Sequence, residues 1–100
     1  MTSSSPNEVP ICVTLYVASD APNSVAALAN LRAALAQYPG HQVVVQIVDV
    51  VTDPARGLRD GVLVTPMLVR ITPLPERRIL GNLHDGPLLL TVLGLAAGDA

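Results

Sequence analysis

Apolar residues arrive along this chain in blocks whose period alternates between that of a strand and that of a helix. Residues 11 to 18, ICVTLYVA, form an almost unbroken apolar run with β-branched members, which predicts a strand buried on both faces. From Ser24 to Tyr38 the spacing becomes helical, with Val25, Leu28, Leu31, Leu35 and Tyr38 recurring at steps of three and four on one face. Pro22 suits the first helical turn, because its ring fixes φ near a helical value and its missing N–H would lack an intrahelical partner anyway. Pro39-Gly40 stops this helix. The run HQVVVQIVDV, 41 to 50, returns to β-branched density and predicts a second strand. Asp53-Pro54 is a cap followed by a proline at the first helical position, predicting one or two turns that close at Gly61. VLVTPMLVRI is strand-like around Thr65-Pro66, TPLPE is a turn with Pro73 and Pro75, and RRILGNL is a short strand. Asp85-Gly86-Pro87 then opens LLLTVLGLAAGDA, where the pattern allows either a C-terminal helix from Leu88 to Ala97 or a buried strand. Residues 1 to 9 are expected to be a disordered tail, 10 to 97 a single domain, and 98 to 100 a second tail.

With a helix at the end, the order is β-α-β-α-β-β-α, that of an α/β thioredoxin-like fold. In that fold the turn after the first strand carries C-x-P-C, the redox dithiol. Here the turn reads D-A-P-N, so Asp20 and Asn23 stand where the cysteines would be. Disulfide exchange needs a thiolate and a resolving thiol nearby, and the single cysteine, Cys12, lies upstream in the first strand. Cys12 is expected to be a small buried hydrophobe. Ser19, Asp20 and Ser24 are expected to satisfy N–H groups at the helix start. Pro66, at the start of the third strand, is expected to follow a cis bond by analogy with the fold.

Composition narrows the function classes further. Half of the 100 residues are hydrophobic but only Tyr16 and Tyr38 are aromatic, so the core must be aliphatic. The net charge is −2 and all six basic residues are Arg, which is no footprint for nucleic acid. No apolar run approaches the ~18 residues of a membrane span, and no leader-like segment opens the chain, so a cytoplasmic location is expected. His41 and His84 share no ligand spacing with an acid, and no glycine-rich loop suggests phosphate binding. The residues give no enzyme, no metal and no cofactor.

The stretches LYVASDAPNSVAALANL, VVQIVDVVTDP and VTPMLVRITPLPERRILGNL together resemble the KaiB family of small clock proteins. Pro22-Asn23-Ser24, Thr65-Pro66, and Arg77-Arg78 with Gly81 carry the resemblance most specifically, and it runs from about Val13 to Leu95. The sensory domain of the clock-output histidine kinase is similar too, though RRILGNL favours the KaiB side. The resemblance implies a non-catalytic regulator that docks on a KaiC-family ATPase, with KaiA-like or histidine-kinase proteins as further partners. It also implies two folds: the thioredoxin-like one, competent to bind, and a ground state β-α-β-β-α-α-β that forms dimers and tetramers. Arg70, Arg77 and Arg78 match basic positions of the family, and with Arg56 and Asp53 they are the candidate partner-binding residues. Pro22, Pro66 and Gly81 are the candidate structural ones. Family members carry lysines on the surfaces that meet KaiC, whereas this chain has none, and Gln46 and Gly61 are uncharged where lysine is common. That departure points to a divergent, KaiB-like paralogue. The competing reading is a self-associating module, or a sensory-type thioredoxin-like interaction domain, unrelated to KaiC.

Overall fold

The strand Ile11–Val17, β1, lies at the centre of the molecule, as its unbroken apolar run requires. A computed structural model describes residues 10–95 of the chain, so the expected tails and the last two residues of the expected domain lie outside the described residues. The elements that follow are α1 (Pro22–Ala36), β2 (Val43–Asp49), α2 (Pro54–Arg59), β3 (Met67–Thr72), β4 (Arg77–Leu80) and α3 (Gly86–Leu93). They form one four-stranded sheet in the order β2-β1-β3-β4. β2 runs parallel to β1, with Val13 beside Val45 and Leu15 beside Ile47. β3 runs antiparallel to β1, with Leu15 beside Leu68, and β4 antiparallel to β3, with Val69 beside Arg78. This is the thioredoxin-like arrangement, and the stretch left open between helix and strand is a helix.

Alternation along β1 sends side chains to two unequal layers. Ile11, Val13, Leu15 and Val17 join Ala27, Leu31 and Ala34 of α1 and Leu89 and Leu93 of α3 in the larger core. Tyr16 faces the other way, with Val48, Val62, Met67 and Val69, where α2 is the only helix among the described residues. The fully buried large side chains are Leu15, Leu31, Leu68, Leu89 and Leu93, an aliphatic core as the composition requires.

Local signals set the ends of the helices. Asp53 caps α2, its carboxylate accepting from Arg56 N at 3.2 Å. Asp85 caps α3 in the same way, accepting from Leu88 N at 3.1 Å. Gly94 takes a left-handed conformation (φ 81°) and ends α3 at Leu93, short of the Ala97 expected from the apolar pattern. Gly57, the buried residue of α2, packs so tightly that a Cβ there would lie 3.0 Å from Val50 Cγ1.

Helix α1 differs from expectation in its inner face. Val25 is 55% exposed, and the buried positions are Ser24, Ala27, Leu31 and Ala34. Leu28, Leu35 and Tyr38 are partly buried against the core. The helix is apolar almost all round, so several period-matched stripes were available to it. Ser24 fixes the choice: its hydroxyl turns inward and accepts the Ala18 N–H at 3.0 Å. The helix start therefore has no side-chain cap, contrary to the role expected of Ser19, Asp20 and Ser24. Cys12 is half-buried rather than buried. The Thr65–Pro66 bond is cis as expected, and so are Thr72–Pro73 and Leu74–Pro75.

Truncating the two faces of α1 should give unequal losses. Leu31→Ala removes a fully buried side chain and should cost about 2–5 kcal/mol, while Val25→Ala should stay within about 0.5 kcal/mol. Urea denaturation of both variants checks this, and equal losses would contradict the inner face described above.

Candidate interaction surface beneath α2

Asp60, the C-terminal cap residue of α2, gathers side chains from two elements onto one carboxylate. Tyr16 of β1, 3% exposed, donates its hydroxyl to Asp60 Oδ2 at 2.7 Å. Arg56 Nε reaches the same oxygen at 3.1 Å, one helical turn earlier, and Arg59 Nε reaches Oδ1 at 3.0 Å. From β4, Arg78 donates Nη2 to the Asp60 carbonyl at 3.0 Å and Nε to Glu76 at 2.9 Å. Arg56 Nη2 also donates to Gln46 Oε1 of β2 at 3.0 Å. The short helix is thus tied by side chains to β1, β2 and β4. These ion pairs are partly solvated and contribute little to stability individually, so their effect is mainly to fix geometry.

The electrostatics follow from this arrangement. The hydrogen bond from Arg59, then that from Tyr16, hold the Asp60 carboxyl at about 2, below its ordinary 3.8. Burial, followed by the hydrogen bond to Asp60, pushes the Tyr16 hydroxyl up to about 12. Neither group titrates near neutrality, so Asp60 stays ionised and Tyr16 neutral through the physiological range. Leu58 (74% exposed) on α2, and Leu63 (86%) and Val64 (57%) on the segment that follows it, stand in solvent. Exposed apolar side chains rimmed by polar groups are the kind of surface that marks a protein-interaction site, and arginine is among the residues enriched at the centres of such sites.

The expected site residues separate into groups. Arg56, Arg78 and Asp53 lie on α2, its cap or the strand that holds it. Arg77 is exposed but points to the opposite sheet face from Arg78, as adjacent strand residues do. Arg70 is withdrawn from the surface. It is 8% exposed, and its Nη1 and Nη2 donate to the carbonyls of Val92 (2.9 Å) and Pro75 (2.8 Å). As folded it clamps α3 to the turn before β4, an internal position in place of the expected surface one. Pro66 and Gly81 meet directly, Gly81 N donating to Pro66 O at 3.0 Å, and Gly81 has φ 100°. Pro22 opens α1. Tyr16, Arg59, Asp60 and Gln46 were not among the expected residues. The i,i+4 spacing of Arg56 and Asp60 was a usable signal, whereas Tyr16 is 44 residues from Asp60 and gave none.

The turn that replaces the dithiol is built as scaffold. Ser19, at φ 48°, donates both its N–H and its hydroxyl to the Asp49 carboxylate at 3.0 Å, and Val51 N donates to it at 2.9 Å. The Val51 bond, with those from Ser19, holds the Asp49 carboxyl below its usual range. His84 hydrogen-bonds Asn82 at 2.8 Å and His41 sits edge-on to Tyr38. Among the described residues no group of three His, Cys, Asp or Glu is placed to hold a metal ion, and no helix is long and apolar enough to cross a membrane.

Comparison with known proteins identifies the lineage. The family model described as KaiB domain matches residues 14–95. The chain belongs to the KaiB family. It is 39% identical over 85 residues to the circadian clock oscillator protein KaiB of Synechococcus elongatus, covering 85% of this chain and 83% of that one. It is 37% identical over 91 residues to KaiB1 of a Synechocystis strain, covering 91% and 87%. Among solved structures, the N-terminal domain of Synechococcus elongatus SasA matches with a TM-score of 0.70 at 25% identity, over 98% of both chains. Chloroplastic thioredoxin z matches with a TM-score of 0.71 at 17% identity, covering 89% of this chain and 80% of that one, a likeness of fold alone. KaiB membership and the SasA-like fold support a regulatory protein of the circadian-clock type.

The Asp60 cluster makes stability depend on pH at both extremes. Asp60 has a depressed folded-state pKa, so its contribution is present above its unfolded value of 3.8 and is lost as pH falls toward about 2. Tyr16 has a raised folded-state value, so its contribution is present below 10.0 and is lost as pH rises toward about 12. Denaturation midpoints measured across both windows should fall at each end. Asp60→Asn should flatten the acid limb, and Tyr16→Phe should remove the late-titrating tyrosine from the ultraviolet absorbance titration.

Proposed function

We propose that this chain is a non-catalytic regulatory protein that docks on a KaiC-family ATPase through the face formed by α2, the segment that follows it and β4. The observation that carries the reading is the convergence of Arg56, Arg59 and Arg78 on Asp60 beside the solvent-exposed Leu58, Leu63 and Val64. Leucines supply the apolar anchors, and the guanidinium groups are held in set directions to meet carboxylates on the partner. Asp53 fixes the helix that presents them, and Arg77 adds charge at the β4 rim on the other side. KaiB membership supports the choice of partner class, and the SasA-like fold supports a role in the same kind of circuit. The thioredoxin-like order is also the state that the family resemblance associates with binding. The dithiol positions hold Asp20 and Asn23, which supply neither a thiolate nor a resolving thiol, so redox turnover has no group to carry it.

The test is a titration of the purified chain against the KaiC-family ATPase of its own organism, with ATP and with ADP. Nucleotide-dependent binding is expected. Leu63→Ala and Arg78→Ala should each weaken it about tenfold or more, the loss typical of anchor residues, while Val25→Ala, on the outer face of α1, should not. Circular dichroism of each variant guards against loss of fold. Undiminished binding by both Leu63→Ala and Arg78→Ala would move the docking face elsewhere, and no binding with either nucleotide would reject the partner.

A further inference from the structure

The three arginines around Asp60 use their guanidinium groups differently. Every nitrogen of Arg78 has a partner within the protein: Nε has Glu76, Nη2 the Asp60 carbonyl, and Nη1 the Gly61 carbonyl at 3.5 Å and Met67 Sδ at 3.6 Å. Arg56 uses two, Nε on Asp60 and Nη2 on Gln46, and its side chain is 26% exposed. Arg59 uses one. Its Nε donates to Asp60 Oδ1 at 3.0 Å, while Nη1 and Nη2 have no partner among the described residues and the side chain is 68% exposed. Arg59 is also the outer end of a relay of hydrogen bonds that begins in the core. Tyr16, buried on the central strand, and Arg56 together occupy Asp60 Oδ2. That double hold restrains the carboxylate and leaves Oδ1 turned to Arg59.

We infer that Arg59 is the specificity-determining residue of this surface: its free Nη1–Nη2 edge receives an aspartate or glutamate side chain of the partner ATPase, and Tyr16 positions it for that contact through Asp60. The inference rests on the docking reading above and adds which arginine meets the partner and what holds it ready. Two guanidinium groups, those of Arg56 and Arg59, share the one Asp60 carboxylate, so a positive charge is left over, and the more exposed of the two carries it outward. Two parallel N–H groups on a planar fork match a carboxylate in shape as well as in charge. Ordering a long side chain is ordinarily a cost of association, and the bond to Asp60 meets part of that cost before the partner arrives. Arg56 and Arg78, with their nitrogens turned to Gln46, Glu76 and the backbone, act as ties that place α2. Leu58, next to Arg59 in the helix and in solvent, is covered in the same step, so the acidic side chain on the partner is one bordered by apolar surface.

Two measurements test the inference, one of them without the partner. In the chain alone, nitrogen-edited NMR should show a slowly exchanging Nε–H signal for Arg59, and Tyr16→Phe, which keeps the ring in the core, should speed that exchange about threefold or more. In titrations against the ATPase, Arg59→Ala and Arg59→Lys should both weaken binding about tenfold, because lysine restores the charge but not the fork. Tyr16→Phe should weaken it less, by about threefold, and should cost nothing further in an Arg59→Ala background, since it acts through Arg59. Arg32→Ala, exposed on α1, should leave binding unchanged. Arg59→Lys binding as tightly as the unmodified chain, while Leu63→Ala weakens the complex, overturns the role of Arg59 and leaves the docking face standing. Unaltered Nε–H exchange in Tyr16→Phe overturns the positioning relay whatever the ATPase does. Failure of the unmodified chain to bind the ATPase with either nucleotide rejects the docking reading and this inference together.

Discussion

The closure of the larger core depends on a buried guanidinium. Arg70 lies on the sheet face that α1 and α3 cover, and its two terminal nitrogens hold the carbonyls of Val92, in the last turn of α3, and Pro75, in the turn before β4. Burying a cation is costly unless hydrogen bonds replace water. Here the replacement comes from backbone carbonyls, one of them at a helix C-terminus, where the macrodipole favours positive charge. The Nε is buried and has no partner among the described residues, so the compensation they provide is incomplete. Such a group adds little to net stability compared with an apolar replacement, but it accepts only a narrow placement of its partners. Leu89 and Leu93 ride on the helix that Arg70 holds, and Gly94 ends that helix with its α-carbon facing Arg70 Nη1, which a Cβ there would meet at 3.7 Å. The hydrogen bond from Arg70 thus joins the buried Leu89 and Leu93 in placing the C-terminal helix on the sheet.

The opposite face is organised around a carboxylate. Asp60 binds Tyr16 from the sheet and two arginines from its own helix, while its carbonyl receives Arg78. The difference in scale between the two faces has a consequence. α1 and α3 cover one side with twenty-three residues of helix, whereas α2 has six. A helix that short cannot hide the segment that follows it, and Leu63 and Val64 stay in solvent. It cannot shield the outer edge of β2 either. The incomplete layer thus leaves an arginine-rimmed apolar surface in solvent.

What the chain order and the punctuation made legible was local. Proline, glycine and the aspartate caps mark element ends through backbone geometry and neighbouring N–H groups, and the order β-α-β-α-β-β-α followed from them. The misread positions share a different cause. Val25 and Ser24 exchanged expected roles because α1 is apolar on most sides, and a hydrogen bond from Ala18, outside the helix, selected the face. Arg70, Arg77 and Arg78 were grouped by resemblance, which carries over a position but not its direction. Strand alternation sends Arg77 and Arg78 to opposite faces, and the pairing of β3 against α3 turns Arg70 inward. Tyr16 could be read as core but not as the partner of Asp60, because that contact exists only once β1 and α2 pack.

The D-A-P-N turn shows how one fold can give up a chemistry and keep the architecture that served it. In a redox protein, the start of this helix must present a thiolate in an activating environment. Here the same place is engaged in holding loops together: Ser19 binds Asp49, Asp49 binds Val51, and Ser24 binds back to Ala18. The carboxylate of Asp49 gathers N–H groups from the ends of both parallel strands, work that needs no thiol. That end of the sheet is closed by its own hydrogen bonds, while the incomplete α2 layer leaves apolar side chains in solvent. Thioredoxin z matches the fold as well as SasA does, so the fold alone does not separate a redox protein from a KaiB relative. The shared scaffold accounts for the shape, and the residues placed on it decide between chemistry and docking.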